Sequence, residues 1–218
     1  NPVGTFFGMR SNGNGVDLMR NAPIDAQARP AFLIGGHRVA SWLPYYRGPE
    51  AGKMELETEI LCRFIREQTF ESEATMIVDV HSGFGLQDRL WYPYAKTAEP
   101  FPQIAKVEKL KHLLDRSYPN HVYLVEPQSL NYTTHGDIWD YLFDEHQAHF
   151  KGNAPLFIPW TLEMGSWNWV RKNPLQILSA VGRFNPIKTH RYKRIMRRHI
   201  PLFDFFLRAI RNHDSWAL

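Results

Sequence analysis

Cysteine is almost absent: Cys62 is the only one in 218 residues. One thiol excludes a disulfide framework and cannot by itself build a thiolate metal site. Long apolar runs are missing as well, and the mean hydropathy of −0.40 leaves no stretch that reads as a membrane-spanning helix. Repeats, low-complexity tracts and linkers are absent, so residues 1–218 read as a single domain. No signal-like segment precedes the first structured residues, and with one cysteine this favours the cytoplasm while leaving the compartment open. The chain opens at Asn1-Pro2 as if in mid-domain, and the expectation is that an N-terminal part of the domain is missing.

Charge of one sign is scarce except at one place. The net charge is only +4, from 26 Lys and Arg against 22 Asp and Glu. Nine of the basic residues fall between Arg183 and Arg211, where Asp204 is the only acid, so the rest of the chain is slightly acidic. Such a run can mark a nucleic-acid surface. Ile195, Leu202, Phe206 and Ile210 recur at helical spacing through it, however. The run therefore reads as the wet side of a terminal helix whose apolar side is buried. No aromatic-interleaved or Gly-rich reader motif accompanies it, and neither a nucleic acid nor a membrane is expected as a partner.

What is present is an alternation of strand and helix signals. Thr75-Met76-Ile77-Val78-Asp79-Val80 is a β-branched run ending at His81-Ser82-Gly83. His121–Val125 and Phe157–Leu162 read as two further strands. Between them, apolar residues at helical spacing mark Met54–Phe70 and Ile104–Leu114, with shorter candidates at Gly136–Phe143 and Leu175–Val181. The order predicts an α/β fold: a mixed, mostly parallel twisted sheet flanked by helices on both faces. Ligands in such sheets gather at the carboxyl ends of strands, and His81 and Glu163 both stand there. A glutamate at the end of the apolar Trp160-Thr161-Leu162 run needs a partner or a task, because burying it alone costs several kcal/mol. Asp79 lies on the same side of its strand as His81 and suits support of that imidazole. Arg10 and Arg20, in Asn- and Gly-rich surroundings, suit gripping an anion.

Taken together these residues resemble the zinc carboxypeptidase family. Asn1-Pro2-Val3-Gly4-Thr5, then Arg10, then Gly15-Val16-Asp17-Leu18-Met19-Arg20-Asn21 is similar to that family's Asn-Pro-Asp-Gly … Arg … Gly-Val-Asp-Leu-Asn-Arg-Asn block. Glu55-Leu56-Glu57-Thr58 resembles its Ser-Glu-Pro-Glu-Thr helix start, and Asp79-Val80-His81-Ser82-Gly83 the strand that delivers its third zinc ligand. Tyr132–Tyr141 resembles the mobile tyrosine loop in its Tyr-to-Asp spacing, and Leu162-Glu163-Met164 the strand of the general base. The five blocks stand in family order from residue 1 to about residue 165.

The resemblance implies a zinc metallopeptidase acting on a peptide or peptide-like amide that carries a free carboxylate. It implies His81 as a Zn2+ ligand, Glu163 as general base, and Arg10 as stabiliser of the oxyanion. Arg20 would pair with the substrate carboxylate and Tyr132 would close over it. Two departures stand out. Met19 occupies the place of an Asn that helps to hold the carboxylate, and Trp139 falls where the family shapes the pocket for the terminal side chain, which implies a small or altered pocket. The family's first two zinc ligands form a His-x-x-Glu motif upstream of the Asn-Pro block, and no His-x-x-Glu occurs in this sequence. His146 and His149 could share a helical face, and read as a surface pair. An aspartoacylase-like zinc amidohydrolase and a metal-free binding module keeping the cleft remain alternatives, and the oligomeric state stays open.

Overall fold

A computed structural model describes residues 1–27, 29–82, 85–151, 153–178, 186 and 188–217. Six α-helices are described: α1 (Pro2–Phe7), α2 (Leu56–Thr69), α3 (Ile104–Ser117), α4 (Ile138–His149), α5 (Trp167–Lys172) and α6 (Thr189–Arg211). The strands are β1 (Ala74–His81), β2 (Arg89–Tyr92), β3 (Leu124–Pro127) and β4 (Leu156–Glu163). The chain divides into two compact units that interleave along the sequence. Asn1–Glu73, Pro93–Phe101 and Pro127–Phe157 form the first; Ala74–Tyr92, Pro102–Glu126 and Ile158–Leu218 form the second.

The second unit is built on the sheet, ordered β1-β4-β2-β3. β2 runs antiparallel to β4 with Arg89 opposite Glu163, Leu90 opposite Leu162 and Trp91 opposite Thr161. The Met164 N–H donates to the His81 carbonyl (2.9 Å), so the carboxyl ends of β1 and β4 coincide. The Leu124 N–H donates to the Asp88 carbonyl (3.1 Å), so the amino ends of β2 and β3 coincide. The outer pairs are thus parallel around one antiparallel pair, giving the mixed, mostly parallel sheet that the alternating segments predict. Helices flank it. Trp160 stacks on Phe206 of α6 at 5.6 Å, Tyr92 meets Trp160 edge-on, and Tyr118 after α3 meets Phe205 of α6. Side chains alternate across a strand, and directly opposed residues share a face. Leu90, Tyr92, Trp160 and Leu162 therefore form the helix-packed face, while Arg89, Trp91, Thr161 and Glu163 occupy the other.

In the first unit α2 packs on α4. Arg66 on α2 holds Glu145 on α4 through two N–H···O bonds of 2.8 and 3.1 Å. Such a fork is stronger than a single contact because both bonds share one geometry. Beneath it lie Cys62, Ile65, Phe70, Leu142, Phe143 and Phe157, all buried. Burial pushes the Cys62 thiol up to about 11, so it behaves as a small core hydrophobe. Among the described residues no helix is long and apolar enough to cross a membrane.

Some expectations shift. The strand expected at His121–Val125 begins only at Leu124, because the preceding residues are tied to the end of α3. The His121 N–H donates to the Tyr118 carbonyl, its Nε2 lies 2.7 Å from Asp115, and its Nδ1 accepts the Tyr123 N–H. The helix expected at Leu175–Val181 is a 3-10 turn over Pro174–Leu178, and residues 179–181 lie outside the described set. The basic segment is helical, with Leu202 and Phe206 buried as its periodicity predicts.

His146 and His149 are not a surface pair. His146 is fully buried, stacked on Phe157 at 4.6 Å and edge-on to Phe70, and neither ring nitrogen has a hydrogen-bond partner among the described residues. His149 is half exposed and lies 3.2 Å from Glu71. Burial, with His149 adding to it, lowers His146 to about 4. The imidazole is therefore neutral in the fold, while the unfolded chain takes a proton near pH 6.5. Stability is full above pH 6.5 and falls as the pH drops toward 4, by about 1.4 kcal/mol per pH unit. His146→Phe should keep the aromatic packing and remove this loss. Urea midpoints at pH 7 and pH 4.5 should converge in the variant relative to the wild type, and an unchanged pH dependence would refute the assignment.

Candidate functional site

The second unit brings Asp79, His81 and Glu163 together. Asp79 and His81, two residues apart on β1, share a face, and the parallel end of β4 sets Glu163 beside them. His81 Nε2 lies 2.8 Å from Asp79 Oδ2, and Nδ1 lies 3.5 Å from Glu163 Oε1. All three side chains are largely buried, with 16 to 21% of their surface exposed. The shorter contact fixes the neutral ring with its proton on Nε2, since a carboxylate accepts only from an N–H. Nδ1 then presents its lone pair toward Glu163.

The same face continues across the sheet with two residues that sequence reasoning missed. Arg89 stands opposite Glu163 and donates to Glu126 Oε1 on β3 at 2.6 Å, and the Trp91 indole N–H reaches that same oxygen at 3.1 Å. The face thus carries Asp79 and His81 from β1, Glu163 from β4, Arg89 from β2 and Glu126 from β3. The available signal was an Arg inside Asp88-Arg89-Leu90-Trp91-Tyr92 and a Glu inside Leu124-Val125-Glu126-Pro127, charges embedded in short apolar strands.

The first unit holds the arginines. Arg10 Nε donates to Asp17 Oδ2 at 2.6 Å, and its guanidinium lies 4.7 Å from the centre of the Tyr45 ring. Desolvation works against the Arg10 charge, but Asp17 outweighs it and Tyr45 and Tyr132 act the same way, so its pKa is raised. Tyr132, on the loop before α4, is thereby placed within electrostatic reach of Arg10. Asp17 also caps the 3-10 turn Leu18–Arg20 by accepting the Met19 N–H. The Met19 side chain offers no hydrogen bond of its own.

Arg20 is only 4% exposed. Its Nη1 reaches the Met19 carbonyl at 3.4 Å and lies 3.9 Å from Asp137 Oδ2, while Nε is buried without a hydrogen-bond partner among the described residues. A buried guanidinium N–H left unsatisfied is costly, and an anion is the group that would satisfy it. Asp137 caps α4 through the N–H groups of Trp139 and Asp140. Trp139 itself is buried in the first turn of α4. The neighbouring Asp140 accepts the Ala95 and Lys96 N–H groups at 2.9 and 2.7 Å; burial, with Asp137 beside it, raises it well above the ordinary carboxylate range.

Zinc does not find a complete site here. Among the described residues no group of three or more His, Cys, Asp or Glu side chains is placed to hold a metal ion. His81 offers one ligand position, oriented by Asp79 as metal-binding imidazoles are, and catalytic zinc needs three.

No family model and no curated protein matches the sequence. Solved structures similar to the chain include thrombin activatable fibrinolysis inhibitor, at a TM-score of 0.47 and 16% identity over 78% of this chain and 41% of that one. The bovine form of that protein, in complex with tick carboxypeptidase inhibitor, gives 0.49 and 16% over 82% of this chain and 57% of that one. Murein-tripeptide amidase MpaA from Escherichia coli O157 gives 0.38 and 20% over 86% and 67%. The chain therefore spans about half the length of the first two.

Gly136 brings the loop that follows Tyr132 against the backbone of Arg20. Its φ is +68°, and a Cβ there would stand 1.9 Å from the Arg20 carbonyl oxygen. Gly136→Ala should destabilise the protein by about 2 kcal/mol or more, since left-handed backbone and steric contact both penalise it. Chemical denaturation checks this, and an unchanged midpoint would show that the loop does not press on Arg20.

Proposed function

We propose that the chain hydrolyses a peptide or peptide-like amide bond near a free carboxylate, with Glu163 as general base. The observation that carries this reading is Glu163 at 3.5 Å from the His81 ring, whose far side is held by Asp79. In this reading Glu163 takes a proton from the attacking water and delivers it to the leaving amine, a role that needs an ionised carboxylate within hydrogen-bond reach of the water. Arg10 supplies fixed positive charge for the developing oxyanion. Arg20 pairs through its buried N–H groups with the substrate carboxylate, and Tyr132 closes over the substrate from its loop. Trp139 narrows the space for the terminal side chain, so small residues are preferred. Zinc belongs to the proposal through His81, its ligand in this chain; because the described residues supply that ligand alone, no step here runs through the metal.

A second reading is a metal-free binding module that grips a carboxylate at Arg20 without turnover. The buried Arg20 Nε, without a hydrogen-bond partner among the described residues, supports the carboxylate grip. Glu163→Gln in the full-length protein, assayed with added zinc on N-acylated dipeptides bearing a free C-terminus, separates the two. Loss of the base should lower kcat by roughly 100-fold or more with little change in KM. An unchanged kcat would remove Glu163 from the chemistry, and saturable dipeptide binding without turnover by the wild type would establish the module.

A further inference from the structure

The second unit contains a cavity of about 390 Å3 where α3 ends beside the middle of α6. Its walls follow from local sequence. Pro119 prevents α3 from continuing, and the chain turns through Tyr118-Pro119-Asn120-His121, closed by the His121 N–H on the Tyr118 carbonyl at 2.9 Å. The turn carries Tyr118, Val122 and Tyr123 past Leu114 on one side and Leu202 on the other, and these residues line the space.

The aromatic part of the lining is held in place before any ligand arrives. The Tyr123 hydroxyl donates to the Arg198 carbonyl at 2.9 Å and lies 2.9 Å from His199 Nδ1. The His121 ring stacks on Tyr123 at 5.8 Å and is fixed by Asp115. Preset walls lower the ordering cost of binding. The charge of the lining has one sign. Arg197 and Arg198 both border the cavity, and no Asp or Glu does among the described residues. Arg198 is engaged by Asp88 at 2.6 Å, whereas Arg197 makes no ion pair among the described residues. An apolar, ring-lined space of this size with a single unpaired guanidinium is the makeup of a small-molecule site rather than of a protein interface.

We propose that this cavity binds a small aromatic carboxylate, its ring against Tyr118, Tyr123 and Leu202 and its carboxylate on Arg197. The π-faces of the two tyrosines favour a ring over an alkyl chain, and the guanidinium fork matches a carboxylate. None of the residues invoked takes part in the proposed hydrolysis, and the assignment stands whether or not that reaction occurs.

The test is a titration of the full chain, labelled with 15N and 13C, with 3-phenylpropionate, followed by NMR. Saturable shifts should appear at Tyr118, Val122 and Leu202, with a dissociation constant on the order of 100 µM for a ligand of this size. The neutral 3-phenylpropionamide should bind at least 10-fold more weakly, and so should Arg197→Glu, a surface change that leaves the core intact. Leu202→Trp should fill the cavity and abolish the shifts; Val122→Trp, at a half-exposed position, serves the same purpose if the first variant fails to fold. The proposal is overturned if those residues do not shift, or if acid and amide bind equally. Shifts confined to Arg10, Arg20 and Tyr132 would also overturn it, while supporting carboxylate recognition in the first unit.

Discussion

The parallel pairing of β1 with β4, closed where the Met164 N–H meets the His81 carbonyl, is the constraint on which the grouping of Asp79, His81 and Glu163 rests. With the two carboxyl ends level, an imidazole at the last position of one strand and a carboxylate at the last position of the other come to 3.5 Å. Register matters more here than propensity. A slip of one residue between the strands would send Glu163 to the opposite face and into the packing around Trp160 and Phe206. The antiparallel pairing of β2 extends the same logic, since it sets Arg89 opposite Glu163 and leaves Leu90 and Leu162 on the helix-packed side.

Polar groups gathered on a largely buried face demand partners, and neighbouring strands supply them. Asp79 meets His81, Glu163 lies between His81 and Arg89, and Arg89 is drawn to Glu126. The Arg89–Glu126 pair and the Asp79–His81 hydrogen bond lower the penalty of taking these groups out of water. The arginines of the first unit are held by other means. Arg10 is paired with Asp17 and stacked near Tyr45, while Arg20 is enclosed between a capping aspartate and the backbone of a glycine loop, with one N–H unsatisfied. The contrast separates a paired, partly exposed arginine from one whose buried N–H still calls for an anion.

Much of this was legible in the residues. The β-branched run before His81, the glutamate ending an apolar strand and the two-residue spacing of Asp79 and His81 announce a strand-end site, and the alternation of segments announces the mixed sheet. What was not legible depends on pairing between distant strands. Four-residue β2 is too short for periodicity to show, and the meeting of Arg89 with Glu126 exists only once β2 and β3 run side by side. His146 shows the opposite difficulty. Its spacing to His149 suggested a shared surface, whereas packing against buried Phe70 and Phe157 draws one ring inside and leaves the other half exposed. Likewise, nothing local to Arg20 announces its burial or the close approach of Gly136, more than a hundred residues later, to its backbone.

Asp79 fixes the His81 imidazole so that its other nitrogen faces Glu163. The most direct measurement is the 15N spectrum of the His81 ring in the full-length protein, at a pH where that ring is neutral. The wild-type ring should be the tautomer protonated at Nε2 and unprotonated at Nδ1, and Asp79→Ala should lose it. A ring protonated at Nδ1 in the wild type, or one indifferent to the loss of Asp79, would contradict it.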